Sequence, residues 1–287
     1  MSFEDARNDW YAVAIADRLP RGDAIETTLL ETAIRIFRDD EGRVGAATTD
    51  GAPCIAQIRY GHVWVCLGEP ARPLFDIPEA DQPDRRLVDC GAVRVRCSPL
   101  RAVENFLDVA HFPYVHTDIL GAEPHTQVER YQVEIREDVD EVWATDVRFF
   151  QPQAAKSAEG GITTHYMYRV PAPTVSILYK TCPPRPGEWD VIALFVQPLS
   201  EDLCDAWAWM ALFDNDSAMA DLIQFQQMIF LQDRSILENQ IPKRLPLDPR
   251  MEIPTRADLT SVTYRRWLRQ RGHTYGALTS ADVTSAP

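Results

Sequence analysis

No block of basic residues, no C-x-x-C pair and no internal repeat occurs in the 287-residue chain. No window approaches the roughly 20 consecutive apolar residues that a membrane helix needs. These absences remove whole classes of function. Nucleic acid and anionic membrane both require a basic surface, whereas 43 Asp and Glu here oppose 29 Lys and Arg, for a formal charge of −14. Neither is expected as a partner, although the charge does not exclude a basic docking site on a partner protein. The six cysteines (Cys54, Cys66, Cys90, Cys97, Cys182 and Cys204) are scattered, the pattern of reduced, buried thiols rather than a disulfide framework. Residues 1–10 carry Glu4, Asp5, Arg7 and Asp9 with no apolar run behind them, unlike a secretory signal. A soluble, cytoplasmic protein is expected.

What is present is β-rich. Hydrophobic residues at 45 % and charged residues at 25 % match an ordinary globular protein, and the length allows one large domain or two modest ones. Short β-type runs at residues 10–15, 33–37, 62–67 and 92–97 are separated by Gly, Pro and Asp-Gly signals. Residues 69–86, with Pro70, Pro73, Pro78 and Pro83, read as an extended connector. A helix is expected at 99–112. Longer β runs follow at 127–136, 141–150, 163–170, 174–179, 190–197 and 206–213, with no β–α alternation, so the sheet should be antiparallel. The run 206–213 should alternate as a half-buried strand. Residues 217–239 form a long amphipathic helix and 262–271 a shorter one, and the small, polar tail after Gly272 is expected to fray.

The chemistry concentrates at residues 104–116, E-N-F-L-D-V-A-H-F-P-Y-V-H. Asn105, Asp108 and His111 lie three residues apart and would share one helix face. His116 lies five residues beyond His111, about 140° away on a continuous helix. Pro113 disfavours helix at Phe112, and a break there lets His116 turn back toward His111. Two converging imidazoles suit iron, zinc, copper or nickel, and with a carboxylate they make a facial triad. An aspartate on the apolar stretch F-L-D-V-A-H-F needs a partner, and a ligand histidine commonly supplies one through its second ring nitrogen. A structural His–Asp hydrogen bond without metal is the plainer alternative. His62, in H-V-W-V-C-L, and His165, beside Tyr166 and Tyr168, read as strand residues, and His125 reads as a loop residue.

The run N-x-x-D-x-x-H-x-x-x-x-H resembles the iron-site signature of the Rieske oxygenase catalytic subunits. In that family the two histidines bind mononuclear Fe(II), and an aspartate on a later long helix completes the triad. The matching positions are His111, His116 and Asp233, the last within F-L-Q-D-R-S-I-L-E-N-Q. The resemblance continues through L-P-L-D (245–248) and R-A-D-L-T-S-V-T-Y-R-R-W-L (256–268), and N-D-W-Y-A-V-A (8–14) is similar to the start of the family's Rieske domain. It implies roles for Asn105 and Asp108 beside the metal, with Asp108 on the electron route from a cluster in a neighbouring subunit.

One departure outweighs the matches. A Rieske centre needs two cysteines and two histidines, which the family supplies as C-x-H and C-x-x-H. Two residues after each cysteine stands Ala56, Gly68, Ala92, Pro99, Pro184 or Ala206, and three after stands Gln57, Glu69, Val93, Leu100, Arg185 or Trp207. Neither motif is present, so no 2Fe–2S cluster of its own is expected.

The expected fold is α+β. A β-rich remnant of a Rieske domain (1–92) precedes a helix-grip (Bet v1/START-like) catalytic domain with a large antiparallel sheet and a long helix (93–272), then a flexible tail (273–287). The resemblance implies an oxygenase subunit using mononuclear Fe(II) and O2 to hydroxylate an aromatic or heteroaromatic substrate. N- or O-demethylation is the expected outcome, with electrons from a Rieske-containing reductase or ferredoxin. The arrangement is similar to the Rieske-less subunit type of methylxanthine N-demethylase systems, in a homotrimer or hetero-oligomer. A non-catalytic subunit of a hetero-oligomeric oxygenase and a metal-dependent hydrolase are the alternatives from other classes.

Overall fold

Two antiparallel sheets account for most of residues 3–153 and 161–279, the residues that the computed structural model describes. After a single helical turn, α1 (Phe3–Ala6), six strands follow: β1 (Tyr11–Ile15), β2 (Ala24–Leu29), β3 (Thr32–Arg38), β4 (Val44–Thr48), β5 (Pro53–Arg59) and β6 (His62–Cys66). They form a sheet in the order β1-β6-β5-β4-β3-β2. Alternation sets its inner face: in β3, Ile34 and Ile36 are buried while Arg35 and Phe37 face out. The β2–β3 turn places Leu30 and Glu31 at positive φ, 49° and 62°, where side chains are strained. Their amides donate to Pro198 O and Leu199 O at 2.9 Å, which holds the turn against the second sheet.

That second sheet has seven strands in the order β7-β13-β12-β11-β10-β9-β8. They are β7 (Arg86–Val95), β8 (Gln132–Arg136), β9 (Glu141–Gln151), β10 (Ile162–Ala172), β11 (Val175–Thr181), β12 (Trp189–Ser200) and β13 (Leu203–Leu212). One face carries α2 (Pro99–Leu107), α3 (Phe112–Val115), α4 (Met219–Leu237) and α5 (Leu259–Arg271). The other packs on the first sheet through a cluster containing Trp64, Phe195 and Trp209, with Trp64 and Phe195 rings 4.8 Å apart. The result is α+β, with a long helix gripped by a large antiparallel sheet. None of the described helices is long and apolar enough to cross a membrane.

Several boundaries differ from expectation for identifiable reasons. β13 is buried along nearly all its length, not on alternate residues, because it is covered on both faces. β7 already belongs to the second sheet, so the expected boundary at 92/93 falls inside a strand, and the 69–86 connector ends where β7 begins. β8 starts at Gln132 rather than 127, since Tyr131 turns to α5, donating to Ala257 O at 2.6 Å and accepting from Thr260 N at 3.2 Å. His165 is an exposed strand residue rather than a packed one.

The start of the expected tail does not fray. Gly272 takes the left-handed conformation after α5 (φ 69°), the usual helix-ending device. His273 and Tyr275 are buried, and β15 (Ala277–Leu278) pairs in parallel with β14 (Leu245–Pro246). Gly276 (φ 75°) lies so near α2 that a Cβ would meet Ser98 Oγ at 2.8 Å. Residues 280–287 of that expected segment lie outside the described residues.

Candidate metal centre

The site begins with a helix that ends early. Ser98 caps α2 by accepting from Leu100 N at 3.1 Å, and Pro99 occupies its first turn. The buried Arg101 guanidinium reaches Glu104 (2.9 Å) and Glu252 (2.6 Å), while Arg265 of α5 binds Glu104 at 2.6 Å, tying α2 to α5. The helix was expected to run to Phe112 and stop at Pro113. Instead it stops at Asp108, whose backbone is extended (φ −87°, ψ 132°), and Pro113 lies in the first turn of α3, where a missing N–H costs nothing. Asn105, Asp108 and His111 therefore do not share a helix face.

The break leaves amides without helical partners, and Asp108 satisfies them. Its carboxylate accepts from Ala110 N at 2.8 Å and His111 N at 3.3 Å, then from His111 Nδ1 at 2.9 Å. That last bond places the proton of His111 on Nδ1 and leaves Nε2 with a lone pair. His116, the residue just past the end of α3 and 1 % exposed, is held the same way, its Nδ1 lying 2.8 Å from Gln232 Oε1 of α4. The two Nε2 atoms stand 3.2 Å apart. Asp233, next to Gln232 on α4, puts Oδ1 3.3 Å from His111 Nε2 and 3.0 Å from His116 Nε2.

His111 and His116, which flank α3, and Asp233 of α4 thus offer three ligand atoms, all within 4.8 Å of one another. Asp233 Oδ1 is buried and receives no hydrogen bond among the described residues despite its two close imidazole nitrogens. Burial pushes the Asp233 carboxyl up, but the imidazoles outweigh it and hold the group down at about 2. Burial pulls His111 down, and Asp108 and Asp233 reverse that, lifting it to about 9. Donor atoms aimed at one point repel one another unless a cation lies among them, either a proton on His111 or a metal ion. A His₂–carboxylate set with open positions is the donor set of non-haem Fe(II), so these residues fit iron.

Two compartments meet at this point. A cavity in front of the triad is lined by Tyr166, Tyr168, Lys180, Gln226 and Ile229. On the other side of His111, an open groove is lined by Asp108, Ile236, Arg265 and Arg269. Asn105 and His111 line both. Asn105 makes no side-chain hydrogen bond to the triad among the described residues. Outside this region, His62 donates Nδ1 to Tyr60 O at 2.8 Å within the interface between the sheets, as a strand residue should.

Gln232 was not singled out by the sequence, because an amide beside an aspartate on a helix has no spacing signature. Only the contact across 116 residues exposes its role. Gln232→Leu removes the acceptor that orients His116 and is expected to weaken iron binding about 10- to 100-fold. Competition with a chelator of known affinity checks this, and unchanged affinity would show that His116 is oriented by packing alone.

Comparison with known proteins agrees with this geometry. Residues 95–273 match the vanillate O-demethylase oxygenase C-terminal domain family. A probable methylxanthine N7-demethylase, NdmC, of Pseudomonas sp. (strain TJI-51) is 44 % identical over 270 residues, 94 % of this chain and 95 % of that protein. Among solved structures, NdmA of Pseudomonas putida CBB5 superposes with a TM-score of 0.72 at 17 % identity, covering 93 % of this chain and 90 % of that one. Dicamba monooxygenase with non-haem iron and dicamba gives 0.66 at 15 %, covering 92 % and 96 %. The first sheet as well as the second therefore follows the fold of these oxygenases. With its domain match, a relative at 44 % identity and neither cluster-binding motif in its sequence, the chain belongs to the Rieske oxygenase family as an oxygenase enzyme without a Rieske motif of its own.

Proposed function

We propose that this chain is the iron-bearing, cluster-free oxygenase subunit of a cytoplasmic N-demethylase that acts on a methylated heteroaromatic, a methylxanthine. The observation that carries this reading is the convergence of His111 Nε2, His116 Nε2 and Asp233 Oδ1, with Asp108 backing His111 on the groove side. The methylxanthine assignment is supported by the likeness to NdmC.

In this reading His111, His116 and Asp233 hold Fe(II). Iron held there supplies oxygen activation, so that O2, two electrons and two protons convert an N-methyl group to N–H and formaldehyde with release of water. Asp108 fixes the His111 tautomer and, because it lines the outer groove, links the site to an electron donor docked outside. Asn105 lines the passage between groove and cavity. The aromatic and aliphatic walls exclude water from the reacting methyl group. The first sheet is the scaffold of a Rieske domain without its cluster, so the electrons come from a separate Rieske-containing reductase, within a homotrimer or a hetero-oligomer.

The test is dioxygen consumption and formaldehyde release by anaerobically purified, Fe(II)-loaded protein supplied with 7-methylxanthine. Formaldehyde in step with O2 is expected with a reductase that carries a Rieske domain, and none with a simple flavin reductase. Iron-loaded protein that releases no formaldehyde with a reduced Rieske partner is a non-catalytic subunit. Turnover with the flavin reductase alone would contradict the need for a cluster in trans.

A further inference from the structure

The floor of the cavity is set by strand register. Tyr168 of β10 stands opposite Leu178 of β11, which stands opposite Ile192 of β12. The next row on the same face is Tyr166, Lys180 and Asp190. The first row is what a sheet beneath a helix ordinarily presents, apart from its hydroxyl. The second carries an ammonium and a carboxylate, Lys180 only 7 % and Asp190 only 6 % exposed. Lys180 and Gln226 line both the cavity in front of the triad and a narrower cleft that continues it toward Asp214.

Stability does not explain this row. Burying two opposite charges as cross-strand neighbours gives no more stability than apolar side chains of similar volume, because desolvation offsets the attraction. Burial pulls the Lys180 ammonium down to about 8 while Asp190 pushes it up, so it remains mostly protonated at neutral pH. On the neighbouring row, the Tyr168 hydroxyl is buried, lines the cavity and has no hydrogen-bond partner among the described residues. An unpaired buried hydroxyl is costly unless something else completes it. Tyr168 and Lys180 are diagonal neighbours across β10 and β11, roughly 7–8 Å apart at the backbone, so two donors rise side by side from one floor.

We propose that Lys180 is a specificity-determining residue that donates a hydrogen bond to a ring carbonyl of an uncharged, planar heteroaromatic substrate, with the Tyr168 hydroxyl serving a second polar atom of the same ring. An ammonium only donates, which requires an acceptor on the substrate. Asp190, its cross-strand neighbour, offsets part of its charge, which disfavours a carboxylate-bearing ring relative to a neutral one. Asp190 is fixed in turn, accepting from Phe213 N at 3.1 Å. This selection rests on the demethylase reading above and specifies which ring that site takes.

Calorimetry on the Fe(II)-loaded chain with 7-methylxanthine and with 7-methylpurine, the same ring system without carbonyls, tests it apart from turnover. Lys180→Met should weaken 7-methylxanthine about 10- to 100-fold, the range for losing one charge-assisted hydrogen bond, and leave 7-methylpurine within about 3-fold. If the single variant does not fold, Lys180→Met with Asp190→Asn removes both charges and keeps an acceptor for Phe213 N. Equal affinity of wild type and variant for 7-methylxanthine would overturn this inference while leaving the demethylase reading in place. Equal losses for both ligands would also overturn it, since Lys180 would then be shaping the cavity instead of reading the ring. Wild-type protein that binds neither ligand would remove the substrate reading and this one together.

Discussion

Asp233→Ala should empty the metal centre. Anaerobically purified wild-type protein is expected to hold about one iron per chain by the facial-triad logic, and the variant close to none. Losing a group that only orients a ligand costs about 10- to 100-fold in affinity, so losing a ligand must cost more than that. Asp233 is the most informative of the three because it supplies the only anionic donor and comes from a different helix. His111→Ala and His116→Ala should follow it, although each leaves one imidazole and the carboxylate in place. Far-ultraviolet circular dichroism separates loss of metal from loss of fold, since α4 is anchored independently of Asp233, for example through Gln227 Nε2 donating to Cys90 O at 2.6 Å. Full iron in all three variants would mean that the ligand set is wrong. Full zinc with no iron in the wild type would return the site to the hydrolase alternative.

The antiparallel sheet and its long helix were legible because alternation and turn residues are local signals. β9 to β12 lie close to their expected places, and the 217–239 prediction brackets α4 (Met219–Leu237). The site residues are read from a motif and a resemblance; the helix break that turns His116 back toward His111 is present, but it comes at Asp108 rather than at Pro113, so Asn105, Asp108 and His111 do not share a helix face. Asp108 ends α2 because its carboxylate offers the broken turn three hydrogen bonds, a competition that residue spacing does not encode. The two-sided burial of β13 and the packing of Tyr275 depend on which surfaces meet, information held in the whole chain. Lys180 and Asp190 look like ordinary strand residues until register sets them side by side beneath α4. Gln232 was similarly silent until His116 was found against it.

Asp108→Asn should separate metal binding from electron supply. The substitution keeps size and one acceptor oxygen, which can serve Ala110 N as the carboxylate does at 2.8 Å. It replaces the other oxygen, 2.9 Å from His111 Nδ1, by a donor, and it removes the negative charge behind that imidazole. His111 keeps its place through Asp233 and the α3 backbone, so iron affinity should fall by no more than the ~10- to 100-fold of an orienting residue. The cavity lies on the other side of His111, so methylxanthine binding should be unchanged. Turnover driven by the Rieske-containing reductase should fall further, by more than ~100-fold, because Asp108 lines the groove where the donor would approach and its charge sets the basicity of the intervening imidazole. Iron content, calorimetry and formaldehyde release on one preparation give the three readouts. Iron loss equal to that of His111→Ala would make Asp108 a ligand or a folding residue. Normal turnover would mean that electrons reach the site by a route that bypasses Asp108, and the groove beside it would lose its claim as the face presented to the donor.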